Sequence, residues 1–275
     1  MFLASFSAAL GAVFNALYLV AGVYVYVSLM RQIAARASVG PPTLEPPART
    51  FGLAEAVLAA ALVVWFLLNV VASLYVEPRH LSMRDIVVEL FFRIGMLLFM
   101  VAFLTFRRFD LTALGGFSKI GFWRILGTGV VLLLAAYPLI ALADALMQRI
   151  LGGGANLTRQ QIVDLFSGSE TIGQRVVIIF LAVVVAPIAE EFIFRFFLYG
   201  VLKRYFGWFL GVAFNSLLFA AVHNHLPSFA ALFVLGCCFT IAYEWSGSIL
   251  VSMTMHALFN SITLTLLAFP EIFPQ

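Results

Sequence analysis

Three short stretches of this chain combine side chains that can take, hold and donate protons. The first is "APIAEEFIFRFFLYG", residues 186–200, with adjacent Glu190 and Glu191 and then Arg195. On a helix Glu191 and Arg195 are four apart and share a face, so they can pair. Glu190 lies about 100° round the same helix and points elsewhere. The second is "SLLFAAVHNH", residues 216–225, which places Phe219 one turn before His223. The third is "GSILVSMTMHALFN", residues 247–260, with His256 and Asn260 four apart on one face. A carboxylate beside an imidazole can activate a water as general base and later act as general acid. An asparagine amide and an imidazole N–H one turn apart can meet an oxyanion. Each group also has a plain structural role, because ion pairs and histidines lock membrane helices together.

The surroundings raise the stakes of those residues. Of 275 positions 63% are hydrophobic and only 11% are charged, and the mean hydropathy is +1.07. A soluble domain carries roughly a quarter charged residues, so the composition predicts an integral multi-pass membrane protein. A charge at the centre of a membrane helix costs about 2.5–3.5 kcal/mol on the insertion scale, so buried charges need partners, water or a function. The net charge of +3 gives no sign of nucleic-acid binding. Cys237 and Cys238 are adjacent in an apolar run, which makes neither a disulfide framework nor a CxxC pair.

The elements that must position the motifs are apolar helices. Eight apolar stretches are expected, at about 3–30, 53–76, 86–106, 122–147, 175–198, 209–225, 227–243 and 248–268. The sixth and seventh are short for a full crossing, which needs roughly 20 residues. The fold class is therefore all-α: a polytopic bundle of about eight transmembrane helices around an intramembrane polar cavity. Residues 37–50 hold four prolines and read as an extended connection. Thr158 and Gln161 have capping-box spacing, which predicts a short interfacial helix with Ile162, Leu165 and Phe166 on one face. Glu89 and Arg93 are expected to form a local ion pair, Glu55 to lie near the interface, and Asn69 to bond a neighbouring helix. Lys and Arg counts place loops 31–52, 107–121, 199–208 and 244–247 on the cytoplasmic side.

Glu190-Glu191-x-x-x-Arg195, Phe219-x-x-x-His223 and His256-x-x-x-Asn260, in that order inside apolar helices, resemble the motifs of the CAAX prenyl protease and bacteriocin-processing (CPBP, or Abi) family. That family is typified by the Ras-converting enzyme. The resemblance covers about residues 175–268, including "APIA" before the glutamates and "GSI" ahead of His256. Phe196 departs from it, since members often carry glycine there. The resemblance implies a glutamic intramembrane endopeptidase. In it Glu190 and His223 would activate water, His256 and Asn260 would form an oxyanion hole, and Glu191, Arg195 and Phe219 would support the site.

It further implies membrane lipid as surroundings and a peptide or protein substrate that is prenylated or membrane-spanning, with no cofactor and no metal. The chain then divides into residues 1–150, N-terminal membrane helices without a recognised motif, and residues 151–275, the catalytic helices. The membrane would be a plasma or inner membrane, or the endoplasmic reticulum in a eukaryote. Two alternatives stay open. Glu190, His223 and His256 could be three zinc ligands of a metalloprotease, although HExxH is absent. A non-catalytic scaffold, immunity or transport protein would keep the same polar residues as helix-to-helix donors.

Overall fold

The computed structural model describes residues 2–39, 50–75, 82–152, 166 and 171–269. Among these every regular element is helical. In chain order they are α1 (Phe2–Val39), α2 (Leu53–Ser73), α3 (Met83–Phe106), the short α4 (Leu111–Gly115), α5 (Phe122–Ile150), α6 (Ile172–Ala221), α7 (Phe229–Ser246) and α8 (Ile249–Ala268). All but α4 are long and apolar enough to cross a membrane. The protein is an integral multi-pass membrane protein. The linker over 37–50 falls almost wholly, and the interfacial helix near 158–166 largely, outside the described residues. Phe166 is described and buried, packed with Ile86, Ile178, Leu181 and Leu264.

Local chemistry starts the helices where the sequence supplies acceptors. The Ser82 hydroxyl takes the Asp85 N–H while the Asp85 carboxylate takes the Ser82 N–H, and Thr171 and Gln174 repeat this reciprocal cap. These satisfy orphan donors that lipid cannot. At α2 the Glu55 carboxylate accepts the Gly52 N–H at 2.7 Å and the Arg107 Nε–H at 2.7 Å. Glu55 is only 1% exposed and forms a buried link from the start of α2 to the end of α3. Asn69 donates to Trp65 of its own helix, not to a neighbour.

The fifth and sixth expected stretches are two helical arms that meet directly at Gly207, without a loop between them, and are labelled together as α6. The apolar run gives no stop at residue 198, and the backbone turns only at Gly207, with φ 80° and ψ 167°. Glycine alone adopts that conformation cheaply. Beyond the turn, residues 208–221 make a second arm of about 21 Å at helical rise. The first arm is irregular, with π-helical turns at Leu181–Val185 and Phe192–Leu198 around Ala186–Glu191. α7 returns against the second arm and α5, while α8 packs on α5 and on the first arm. α2 and α3 flank α6 from outside.

The loop after α4 is pinned on the turn between α7 and α8. Gly116 has φ +62°, and a Cβ there would overlap the Gly247 carbonyl. Gly152 has φ +83° with no atom within 4 Å of such a Cβ. Gly116→Ala is therefore expected to lose more than Gly152→Ala, which carries only the left-handed backbone cost of about 1–2 kcal/mol. Melting temperatures of the two variants in detergent check this; equal losses would refute the close approach.

Candidate functional site

The irregular first arm of α6 builds the site. The Ala186 N–H bonds the Leu181 carbonyl five residues back, as a π turn requires. In that register the next acceptor is the Ala182 carbonyl and the next donor would be residue 187. Residue 187 is proline and has no N–H. The freed Ala182 carbonyl is taken by Asn260, whose Nδ2 donates to it at 2.7 Å. Pro187 thus fixes the amide of Asn260 on the facing helix. A primary amide has two N–H groups, so one remains available.

Glu190 and Glu191 leave this helix in different directions, as their neighbouring positions dictate. Glu191 Oε1 lies 3.0 Å from Arg195 Nη1 and 2.9 Å from His256 Nδ1, and both charged partners are fully buried. The Arg195 guanidinium is stacked 4.2 Å from the Phe219 ring centre and 5.2 Å from that of Phe239. Its Nη2 also donates to the Gly236 carbonyl at 3.4 Å. Glu191 and Arg195 therefore pair as their spacing predicts, and the pair also holds His256.

Glu190 has its two oxygens in different company. Oε1 accepts from Arg93 Nη1 of α3, and the same guanidinium gives its Nε–H to Glu89 at 2.7 Å. Oε2 is buried and has no hydrogen-bond partner. It faces His256 Nε2 at 3.8 Å and His223 Nε2 at 4.0 Å. His223 sits just past the end of α6, where its backbone N–H bonds Ala220 and leaves the Phe219 carbonyl free. Its own ring fills the gap, Nδ1 donating to Phe219 O at 2.7 Å. That fixes Nδ1 as the protonated nitrogen, because a carbonyl only accepts. By the same rule His256 Nδ1 donates to Glu191, and the Nε2 atoms of both rings are turned toward Glu190. Phe219 lies edge-on between them, 4.7 Å from the His223 ring and 6.0 Å from that of His256.

The structure thus brings Glu190, Glu191, Arg195, Phe219, His223 and His256 into one cluster. Asn260 stands one turn beyond His256 and bonds Ala182, with no direct contact to Glu190. His225 is on the turn after α6, where its ring caps Ser228. The Glu89–Arg93 pair is present, but reading it as purely local missed that Arg93 reaches Glu190. The signal was the donor count: a guanidinium carries five N–H groups, more than one carboxylate can use. Among the described residues no group of three His, Cys, Asp or Glu side chains is arranged to hold a metal ion.

The Glu191–Arg195 pair is fully buried, so Glu191→Gln leaves a guanidinium in an apolar slot. The expected cost is about 3–5 kcal/mol, read as reduced folded yield and melting temperature in detergent. A fully stable but inactive variant would move Glu191 from support into the chemistry.

The cluster falls within the part of the chain that matches known proteins. Residues 172–262 match the family model described as type II CAAX prenyl endopeptidase Rce1-like. The chain is 26% identical over 145 residues to the membrane-embedded CAAX protease MroQ of Staphylococcus aureus (strain USA300). That match covers 50% of this chain and 54% of the relative, so it spans about half of each. No solved structure matches the chain. The three motifs, the family model and the relative agree in making residues 172–262 similar to Rce1-like CAAX proteases.

Proposed function

We propose that the protein is an intramembrane endopeptidase that hydrolyses a peptide bond of a lipid-modified or membrane-associated substrate. The observation that carries this reading is the unpartnered, buried Glu190 Oε2 with two imidazole Nε2 atoms 3.8 and 4.0 Å away. Those gaps exceed a direct hydrogen bond and suit a bridging water. A water there would give one hydrogen to Glu190 Oε2 and the other to His223 Nε2, both acceptors. Its lone pair is then free to attack a carbonyl carbon.

The reaction follows with atoms balanced. The water oxygen bonds the scissile carbon as one of its protons passes to Glu190. The carbonyl π electrons move to oxygen, and Asn260 and protonated His256 Nε2 supply donors to that oxyanion. Collapse breaks the C–N bond, and Glu190 returns its proton to the departing amine. Glu191 holds His256 by Nδ1 throughout. The CAAX protease name of the relative suggests the substrate class, a chain ending in a lipid-modified cysteine motif. The exposed apolar faces of the helices suit a substrate that arrives through the bilayer.

Glutamic catalysis is favoured over the zinc reading because Glu190 Oε1 is already taken by a guanidinium, which repels a second cation. Glu190→Gln should stay folded and lose at least about 10²–10⁴-fold in turnover, the usual contribution of a general base. Chelator should leave the wild type active in the same reconstituted cleavage assay. Activity lost in chelator and restored by zinc would establish the metalloprotease instead, and full activity of the Gln variant would sink both enzyme readings.

Arg93 acts in this scheme as a positioning residue, pulling Oε1 aside so that Oε2 meets the water. Arg93→Gln is expected to lower kcat by up to about 10²-fold, the scale of a misplaced catalytic group, with KM little changed. Arg93→Lys should recover part of the loss. A variant that melts earlier but keeps its kcat would reduce Arg93 to a structural tie.

A further inference from the structure

A second polar feature lies apart from the Glu190 cluster, where α1, α5 and α7 end together. A cleft of about 740 Å³ opens there, lined among others by Gln32, Arg36, Arg124, Thr128, Trp245 and Ser246. We propose that this cleft binds the phosphate headgroup of an anionic membrane lipid.

Charge is the first argument. Neither Arg36 nor Arg124 is paired with a carboxylate among the described residues. Arg36 gives one N–H to the Trp245 carbonyl at 3.0 Å, which anchors the guanidinium and leaves four of its five donors. Lys119 adds a third cation, its Nζ 3.4 Å from where a Cβ of the adjoining Gly247 would stand. The nearest described acid in the chain, Glu244, is already held by Lys203 at 2.6 Å and Tyr199 at 2.9 Å. Arginines present forked donors that match phosphate oxygens.

Position is the second argument, and it selects a lipid over a free anion. The cleft stands at the ends of apolar helices, where headgroups lie. Phe122 and Trp123, 69% and 79% exposed, immediately precede Arg124 on α5. Exposed aromatics of this kind mark the membrane boundary. The Trp245 indole is tied to Gln32 Oε1 at 2.9 Å, so the cleft wall is fixed before a ligand arrives. Basic pockets between membrane helices recognise anionic headgroups in this way.

The test uses the full chain in detergent, titrated with phosphatidylglycerol, phosphatidylcholine or inorganic phosphate and followed by native mass spectrometry and melting temperature. Phosphatidylglycerol should stay bound and raise the melting temperature, and phosphatidylcholine should not. Arg36→Gln with Arg124→Gln should weaken phosphatidylglycerol about thirtyfold, roughly fivefold for each arginine near an anionic headgroup. Arg149→Gln, at the other end of α5, should leave binding unchanged. If the double variant does not fold, Arg124→Gln alone carries the test, since its guanidinium has no carboxylate partner to lose among the described residues. Equal binding by wild type and variant overturns the site. Inorganic phosphate that displaces the lipid and stabilises the chain by itself overturns the lipid assignment.

Discussion

Two adjacent glutamates buried among apolar helices impose the arrangement of everything around them. An ion left unpaired in such a setting is strongly destabilising, so each carboxylate must recruit a cation from wherever the chain can bring one. Being neighbours, the two point about 100° apart and recruit in different directions. Glu191 meets Arg195 of its own helix and His256 of α8, and Arg195 reaches on to Gly236 of α7. Glu190 meets Arg93 of α3. One dipeptide therefore ties α3, α7 and α8 to α6. Dispersion alone would hold these helices with little directional preference, because lipid tails are as apolar as leucine.

The same demand accounts for the irregularity of α6. A regular α-helix satisfies all its carbonyls and offers none to a neighbour. The π turn at Leu181–Val185 followed by Pro187 leaves the Ala182 carbonyl for Asn260. The end of α6 leaves the Phe219 carbonyl for His223. In both cases a backbone acceptor released by local geometry sets the orientation of a polar side chain. π turns recur at functional sites for this kind of reason.

The bundle was legible in the sequence because burial in lipid demands long apolar runs, and these can be counted directly. The Glu191–Arg195 pair was legible because four-residue spacing is a property of one helix. Arg93 on Glu190 was not, since nothing in local spacing says which helix stands opposite. The direct meeting of the fifth and sixth stretches at Gly207, without a loop, was not legible either, because whether a lone glycine turns the chain depends on what packs beyond it. The buried state of Glu55 depended likewise on Arg107, 52 residues away.

In the proposed reaction the cluster moves charge rather than creating it. With His223 neutral and His256 protonated, Glu89, Glu190 and Glu191 face Arg93, Arg195 and His256, three negative charges against three positive. When Glu190 accepts a proton from water it loses its charge, and the same charge reappears on the oxyanion. The net charge of the buried region stays constant, which matters where an added ion would cost several kcal/mol. The requirement is then local: donors must already stand where the charge arrives. His256 is held by Glu191 and Asn260 by the Ala182 carbonyl before any substrate is present, so neither has to be ordered at the moment of reaction. Arg93 plays the opposite part. It remains beside the carboxylate the charge has left and favours its return, which drives the proton back out to the departing amine.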